Sequence, residues 1–372
     1  MTNCRKIAFY IPLLNVGGAE KVLINSINAF SKSNCKEIYL FTDTSNSDWL
    51  LHLDSQINLI NISSTRNILN RLIHISQIIE QYQIEVFISH LTHSNIHALI
   101  IKLVYKFKLI IVEHSITSKY LDDLGFKGVI LKLLFKNLLN KADKIITVSK
   151  ATRHDLKVNF KANAELCSVI YNPIDFNRIK LDSNEAMDKS ILGKINNRKY
   201  IVTVSRLEVL KNHVSLIEDL KQFLISNNYV LLVVGGGSQF NNIFRTIVKN
   251  KLENHVFITG YLNNPYPYIL NSSLLVHPSK YEGFGLVLIE AIFLNIPVIS
   301  MNFEAAYEAL EEGKIGNIAT DTESLLTLIN DVMIGTDLSP SKLLGYSNFV
   351  KNKYNLINMI NDYKSIINEI II

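Results

Sequence analysis

The chain has 372 residues, 48% of them hydrophobic, enough to bury the cores of about two or three domains. Its three cysteines show no CxxC or Cys/His spacing, and no apolar run reaches about 18 residues, so a disulfide framework, a zinc site and a spanning helix are not expected, whereas a reducing compartment is. The net charge of +5 is uneven: residues 102–161 hold 13 Lys/Arg against 5 Asp/Glu, while residues 173–372 hold 18 against 20.

Arg5 and Lys6 precede a short apolar run, 7–14, that imitates a secretory leader. The run is brief, contains Pro12 and leads into a helix, so it reads as a buried strand. Gly17-Gly18 lies between that strand and a helix beginning at Ala19, whose Val22, Leu23, Ile27 and Phe30 share one side. In an open α/β sheet such a turn lies on the ligand edge, where glycine admits a close backbone approach and a helix start favours an anion. The alternative is a turn that merely needs glycine.

Strands are expected at 37–41, 57–62, 86–89 and 109–112, with helices at 67–82 and 95–107. This alternation implies a parallel sheet covered on both faces. His114 follows the carboxyl end of strand 109–112, and His90 and His93 follow the strand before it. Residues 119–141 form an amphipathic stretch with apolar positions such as Leu121, Val129, Ile130, Leu133 and Leu138, broken near Gly125 and Gly128 and punctuated by Lys127, Lys132, Lys136 and Lys141. Two readings stand: a core-facing helix with a solvated lysine face, or docking on an anionic membrane surface. No nucleic-acid motif accompanies the basic block, so nucleic acid is not expected as a partner. A strand at 142–149, a helix at 150–158 and a strand at 167–171 close the first domain, and residues 175–198 read as a polar linker without a strong period.

The second half restarts with strand 200–204. The loop after it carries Arg206 and Lys211, a guanidinium and an ammonium able to neutralise a diphosphate leaving group, and Asn212 as cap of the next helix. Strand 230–234 ends in Gly235-Gly236-Gly237-Ser238. Phe240 stands where a dinucleotide fingerprint needs its third glycine, so this is a tight strand-to-helix turn near a nucleotide. Strand 256–259 leads to Gly260-Tyr261, a loop placed to contact a base, and a short helix follows at 267–270. Residues 274–300 then run from a strand through Glu282 and Gly283-Phe284-Gly285 into a helix carrying Glu290, and past Pro297 into another strand. The glycine-flanked helix start offers free N–H groups to a phosphate between two carboxylates, an arrangement that suits a phosphorylated sugar. Residues 315–319 read as a strand, 322–333 as a helix, and 340–372 as mostly helical.

Ser279, Glu282-Gly283-Phe284-Gly285 and Glu290-Ala291 resemble the signature of the retaining glycosyltransferases of family four, which have the GT-B fold. Gly17-Gly18-Ala19-Glu20, the strand ending at Ser149 and Asn172-Pro173-Ile174-Asp175 are also similar to family segments. The resemblance runs over about residues 6–323 and weakens at 301–308, where neither Gly nor Pro is present and Glu308 alone keeps a family position. It implies an α/β architecture of two Rossmann-like domains facing across a cleft: an acceptor-side domain at 1–174, a nucleotide-sugar-binding domain at 175–345, and a C-terminal helix at 346–372 crossing back to the first. It further implies sugar transfer from a nucleotide sugar, a UDP-sugar being favoured, with retention at the anomeric carbon. The acceptor would be a glycan, in particular a lipid-linked one, and the setting bacterial surface polysaccharide synthesis. By the same resemblance His114 and Glu282 lie near the donor sugar, Arg206 and Lys211 serve the diphosphate, and Glu290 holds the ribose hydroxyls. The N–H groups of Leu286 and Val287 approach the phosphates, and Gly17, Gly18, Gly260, Tyr261, Phe284 and Gly285 complete the donor site. No Asp-x-Asp sequence is present, so neither a metal nor a cofactor is expected. A cytoplasmic protein, peripheral on the inner membrane through block 102–161, is the expected location. A nucleotide-sugar epimerase and a non-catalytic partner subunit of similar fold are the alternatives. The basic block speaks against the first, and the joint presence of Arg206, Lys211, Glu282 and Glu290 against the second.

Overall fold

The structure, a computed structural model, describes residues 6–14, 17–33, 37–44, 47–62, 67–334 and 339–371. Cys4, Arg5 and Cys35 lie outside the described residues, and Cys167 is a buried free thiol. Strands β1 (Lys6–Tyr10), β2 (Glu37–Thr42), β3 (Asn58–Asn61), β4 (Val86–His90), β5 (Lys108–Glu113), β6 (Lys144–Thr147) and β7 (Cys167–Val169) form one parallel sheet in the order β3-β2-β1-β4-β5-β6-β7. Strands β8 (Tyr200–Val204), β9 (Val230–Val234), β10 (Val256–Gly260), β11 (Leu274–His277), β12 (Val298–Met301) and β13 (Asn317–Ala319) form a second, in the order β10-β9-β8-β11-β12-β13. These are two Rossmann-like domains.

Most of these strands are continuous apolar runs because crossover helices cover both faces of a parallel sheet. In β9, all five residues of VLLVV are buried. The order of each sheet reverses once. In the first, β1 pairs with β2 on one side and β4 on the other, and in the second β8 lies between β9 and β11. Loops leaving the carboxyl ends of two strands that diverge in this way leave a crevice between them, the usual ligand position in open α/β sheets.

The chain divides into two compact units, residues 1–174 with 354–372, and residues 175–353. The return to the first unit therefore comes at Tyr354 and not at 346. The helix Pro340–Lys353 stays with the second unit, where Ser347 donates to the Phe293 carbonyl at 2.7 Å and Lys353 pairs with Glu311. The last helix, Leu356–Ile371, buries Met359, Tyr363, Ile366, Ile367 and Ile370 in the core that holds Phe9, Ile24 and Phe30. Its Tyr363 ring meets Phe30 edge-on at 5.7 Å.

Residues 175–198 are not a linker without structure. They contain helices Phe176–Asp182 and Lys189–Ile195, started by the Asp175 carboxylate accepting from Arg178 N and the Asp188 carboxylate from Ser190 N. Seven-residue helices are too short to display a period, so only the caps mark them. The stretch 119–141 is two helices, Thr117–Asp122 and Gly125–Leu138, parted at Gly125 with φ +59°. They cross closely at Gly128, where a β-carbon would fall 1.7 Å from the Leu121 carbonyl oxygen. Of the longer helix only Gly128 and Phe135 are fully buried, while Phe126, Val129, Ile130 and Leu133 stand in solvent. The helix thus packs Leu131, Leu134 and Leu138 against the core, as a core-facing helix should, and leaves a second, exposed apolar stripe outside.

Two glycine substitutions test this packing in opposite directions. Gly128→Ala should destabilise by about 1–3 kcal/mol, because backbone must move to admit the methyl group. Gly345→Ala, in the interior of helix Pro340–Lys353 with nothing within 4 Å of the new carbon, should stabilise by roughly 0.5–1 kcal/mol. Urea denaturation of both variants checks the signs.

Candidate active site

In the second unit, the loops after β8 and β11 meet at the reversal of strand order. Lys280 N donates to the Leu210 carbonyl at 2.9 Å, fastening one loop to the other. Beneath them, Leu207 N donates to the Gly236 carbonyl at 2.9 Å and Gln239 N to the Leu207 carbonyl at 2.8 Å. A β-carbon at Gly235 would lie 1.9 Å from the Ser205 carbonyl oxygen, and one at Gly237 2.6 Å from that of Leu207. The glycine run is thereby explained by loop packing: it lets the Arg206–Lys211 loop lie directly on the β9 turn.

On this base stands a four-residue cluster. Glu282 Oε1 takes the Lys211 ammonium, His277 Nε2 at 3.0 Å and the Ser279 hydroxyl at 2.9 Å. Both ionic side chains are largely buried, Lys211 12% and Glu282 17% exposed. Burial alone would raise the Glu282 carboxyl, but the Lys211 charge and the His277 hydrogen bond outweigh it and hold the group well below the usual carboxylate range. His213, which opens the helix His213–Ser226, bonds Ser205 at 3.1 Å; burial, with the His277 and Lys211 charges, pushes it down to about 3, so it is neutral.

Arg206 is exposed on the same loop. Asn212 does occupy the cap position, but in left-handed conformation and without a side-chain bond to the helix backbone; its Oδ1 accepts from Ser215 at 3.0 Å. Gly285, at φ +91°, turns the chain into helix Leu286–Phe293, whose leading N–H groups, those of Leu286 and Val287, precede the first helical bond. Glu290 sits on its second turn, 8% exposed, with Oε1 accepting from Tyr266 OH at 3.0 Å. Phe284 is 2% exposed, so its ring serves packing. Gly260 ends β10 at φ +76°, bridged to Gly235, and the Tyr261 ring is exposed beside Gly236.

In the first unit, Gly17 caps helix Gly18–Ser31 after β1. Across the strand-order reversal, His90 at the end of β4 and His114 just past β5 are in contact, Nδ1 to Nε2 at 2.9 Å. Directly before His114, at the end of β5, stands a fully buried carboxylate. Glu113 accepts from Thr92 at 2.8 Å, Asn95 at 2.7 Å and Thr117 at 3.0 Å, with no cation among its bonds. Burial pushes it up to about 7, against the opposing pull of those three hydrogen bonds. On the helix Thr92–Lys102, His93 bonds the Tyr120 hydroxyl at 2.7 Å and His97 that of Tyr10 at 3.2 Å.

Residues 16–178 match the Glycosyltransferase Family 4 description, and residues 184–341 match Glycosyl transferases group 1. The chain belongs to the family 4 glycosyltransferases. Among curated relatives, the Campylobacter jejuni N-acetylgalactosamine-N,N'-diacetylbacillosaminyl-diphospho-undecaprenol 4-alpha-N-acetylgalactosaminyltransferase is 29% identical over 205 residues, 55% of this chain and 54% of that protein. The Staphylococcus aureus capsular polysaccharide biosynthesis glycosyltransferase CapM is 29% identical over 221 residues, 56% of this chain and 57% of that one. The match thus spans little more than half of these relatives. Among solved structures, Anabaena HepE in complex with UDP-glucose shares the fold at a TM-score of 0.82 and 19% identity, over 98% of this chain and 100% of that one.

His277, Tyr266, His213 and Glu113 had no place among the residues singled out in the sequence. His277 could have been found as a polar residue closing an apolar strand five positions before Glu282. Tyr266, 24 residues before Glu290, gives no such signal. Among the described residues, no three His, Cys, Asp or Glu side chains gather as a metal site.

The two buried carboxylates should respond to pH with opposite sign. Glu282, depressed in the folded state, contributes stability that is present above pH 4.5 and lost as the pH falls below it. Glu113, raised to about 7, contributes stability that is present below pH 4.5 and lost as the pH rises to 7, roughly 3 kcal/mol in all. The Tm difference between wild type and Glu113→Gln should therefore shrink from pH 4.5 to 7. That between wild type and Glu282→Gln should shrink below pH 4.5.

Proposed function

We propose that the protein transfers a sugar from a nucleotide sugar, with a UDP-sugar favoured, to a glycan acceptor presented on a lipid carrier, and that it serves bacterial surface polysaccharide synthesis. The observation that carries this reading is the Lys211–Glu282 pair at the strand-order reversal, beside Arg206 and the free start of helix Leu286–Phe293. A diphosphate meets there an ammonium, a guanidinium and backbone N–H groups, already oriented before charge develops on the leaving group. HepE was crystallised with UDP-glucose, which supports the nucleotide, and the Campylobacter relative's name includes diphospho-undecaprenol, which supports the carrier.

In this mechanism Glu290 binds the ribose hydroxyls. Arg206 and Lys211 draw charge onto the diphosphate as the C1–O bond breaks. Glu282 and His114 orient the donor sugar. The acceptor oxygen attacks from the face the diphosphate leaves, and its proton passes to the departing phosphate oxygen, so configuration is retained. Protein cations and the helix start perform the neutralisation, and the reaction is proposed to proceed without a metal.

The exposed stripe Phe126, Val129, Ile130 and Leu133, at helical spacing and set in the basic block, supports docking on the anionic cytoplasmic face of a membrane, where such a carrier is held. Among the described residues no helix is long and apolar enough to cross a membrane, so this contact is peripheral in the proposal.

A panel of nucleotides and nucleotide sugars, read by calorimetry, tests the donor site. One sugar nucleotide should bind selectively, and Glu290→Ala should weaken it about 10- to 100-fold, the worth of a charged hydrogen bond, while the chain still folds. Unaltered affinity in that variant removes Glu290 from the donor site. Vesicles containing anionic phospholipid should co-sediment the protein at low salt, and Phe126→Glu should release it. Equal sedimentation with neutral vesicles would argue against the charge-assisted contact.

A further inference from the structure

Tyr266 and Glu290 stand on different elements of the second unit, yet one short segment fastens both. Tyr266 opens the helix Tyr266–Leu270, and its backbone N donates to Asn264 Oδ1 at 3.1 Å. The Asn264 amide in turn donates to the Asp182 carbonyl at 2.7 Å and to Glu185 at 2.9 Å. The next turn is held by Asp188 N donating to the Tyr268 hydroxyl at 2.9 Å and by the Tyr200 hydroxyl donating to the Tyr268 carbonyl at 2.7 Å. On the other side, Phe176 opens the helix that ends at Asp182, and its ring lies 4.6 Å from that of Phe293, the last residue of the helix carrying Glu290. Residues 176–188 therefore set where both partners of the Tyr266–Glu290 bond stand.

We propose that Tyr266 is a positioning residue that sets the Glu290 carboxylate for the ribose hydroxyls of the donor, and so makes the site select ribonucleotides over 2′-deoxyribonucleotides. This role rests on the assignment of Glu290 to the ribose made above. The bond is buried at both ends, with Tyr266 5% and Glu290 8% exposed, and the phenol donates to Oε1 at 3.0 Å. A glutamate turns broadly about its last torsion, so a fixed donor on one oxygen decides the plane of the carboxylate. A phenol does this as a neutral donor, whereas the Lys211 ammonium on Glu282 brings a cancelling charge. The same stretch of chain reaches the place expected to meet the base: Gly235 N donates to the Gly260 carbonyl at 3.0 Å, and Tyr261 follows against Gly236. Base and ribose would thus be read along one continuous segment, residues 260–266. A site built to hydrogen-bond a hydroxyl rejects the analogue lacking it, because its own buried polar group is then left unpaired. That rejection is sharp only while the carboxylate is held in place.

The test is calorimetry on the full chain with the ribo and 2′-deoxy forms of one nucleoside diphosphate: UDP and 2′-deoxy-UDP, or the matching pair for another base that the panel above selects. Wild type should prefer the ribonucleotide about tenfold or more. Tyr266→Phe, which removes only the hydroxyl, should cut that preference about three- to tenfold by weakening the ribonucleotide. A merely structural role would weaken both ligands alike and leave their ratio unmoved. In the Glu290→Ala chain the preference should already be lost, and adding Tyr266→Phe should change it no further. A wild type without the preference, an unmoved ratio in folded Tyr266→Phe, or a further fall on top of Glu290→Ala overturns the role. Should Tyr266→Phe not fold, Asn264→Ala, which frees the start of the Tyr266 helix, should lower the ratio in the same direction, and an unchanged ratio there overturns it. A wild type that binds no nucleotide refutes the proposed function and this role with it. One whose preference depends on Glu290 but not on Tyr266 refutes the role of Tyr266 alone.

Discussion

One carboxylate oxygen, Glu282 Oε1, organises the second unit's candidate site. It receives an ammonium, an imidazole and a hydroxyl at once, in a place largely closed to water. A buried charge is tolerable only when paired and hydrogen-bonded, so each partner depends on the others. The pair also spans the two strands at which the sheet reverses its order, joining the loop after β8 to that after β11. Glycines 235 and 237 carry no side chain because the loop after β8 lies on them, and Gly285 takes a left-handed turn into the helix start. Fixed charge in a poorly solvated place needs no reorganisation when a leaving group becomes anionic, which is what phosphate departure asks of a protein.

The first unit solves burial of a carboxylate differently. Glu113 is surrounded by two threonine hydroxyls and an asparagine amide, which satisfy its oxygens without adding charge. The result is a group near neutrality where Glu282 is firmly anionic. The neighbouring histidines are neutral as well.

Much of this was legible in the sequence because parallel strands buried on both faces leave unbroken apolar runs, and because a ligand edge needs polar residues and glycine directly after such runs. Gly17-Gly18, His114, Arg206 and Lys211, and Glu282 all follow strands for that reason. What escaped was set by contacts between distant segments. The Glu290–Tyr266 bond joins residues with no common pattern, and the pairing of Lys211 with Glu282 crosses 71 positions. The short helices within 175–198 lacked the length to show a period. In residues 119–141 the apolar spacing was visible, but only the close crossing at Gly128 determines which face turns inward, and it left Phe126 and its neighbours outside.

The last helix, Leu356–Ile371, fills the core of a unit whose other elements are made some two hundred residues earlier. During synthesis, at about 5–20 residues per second, the first unit would wait with Phe30 and its neighbours uncovered while the whole second unit emerges and folds. The order in which the units are made is thus the reverse of the order in which they can be finished. For an interval of tens of seconds the nascent chain carries an open apolar face, a natural target for a chaperone and a limit on how slowly the second unit can fold.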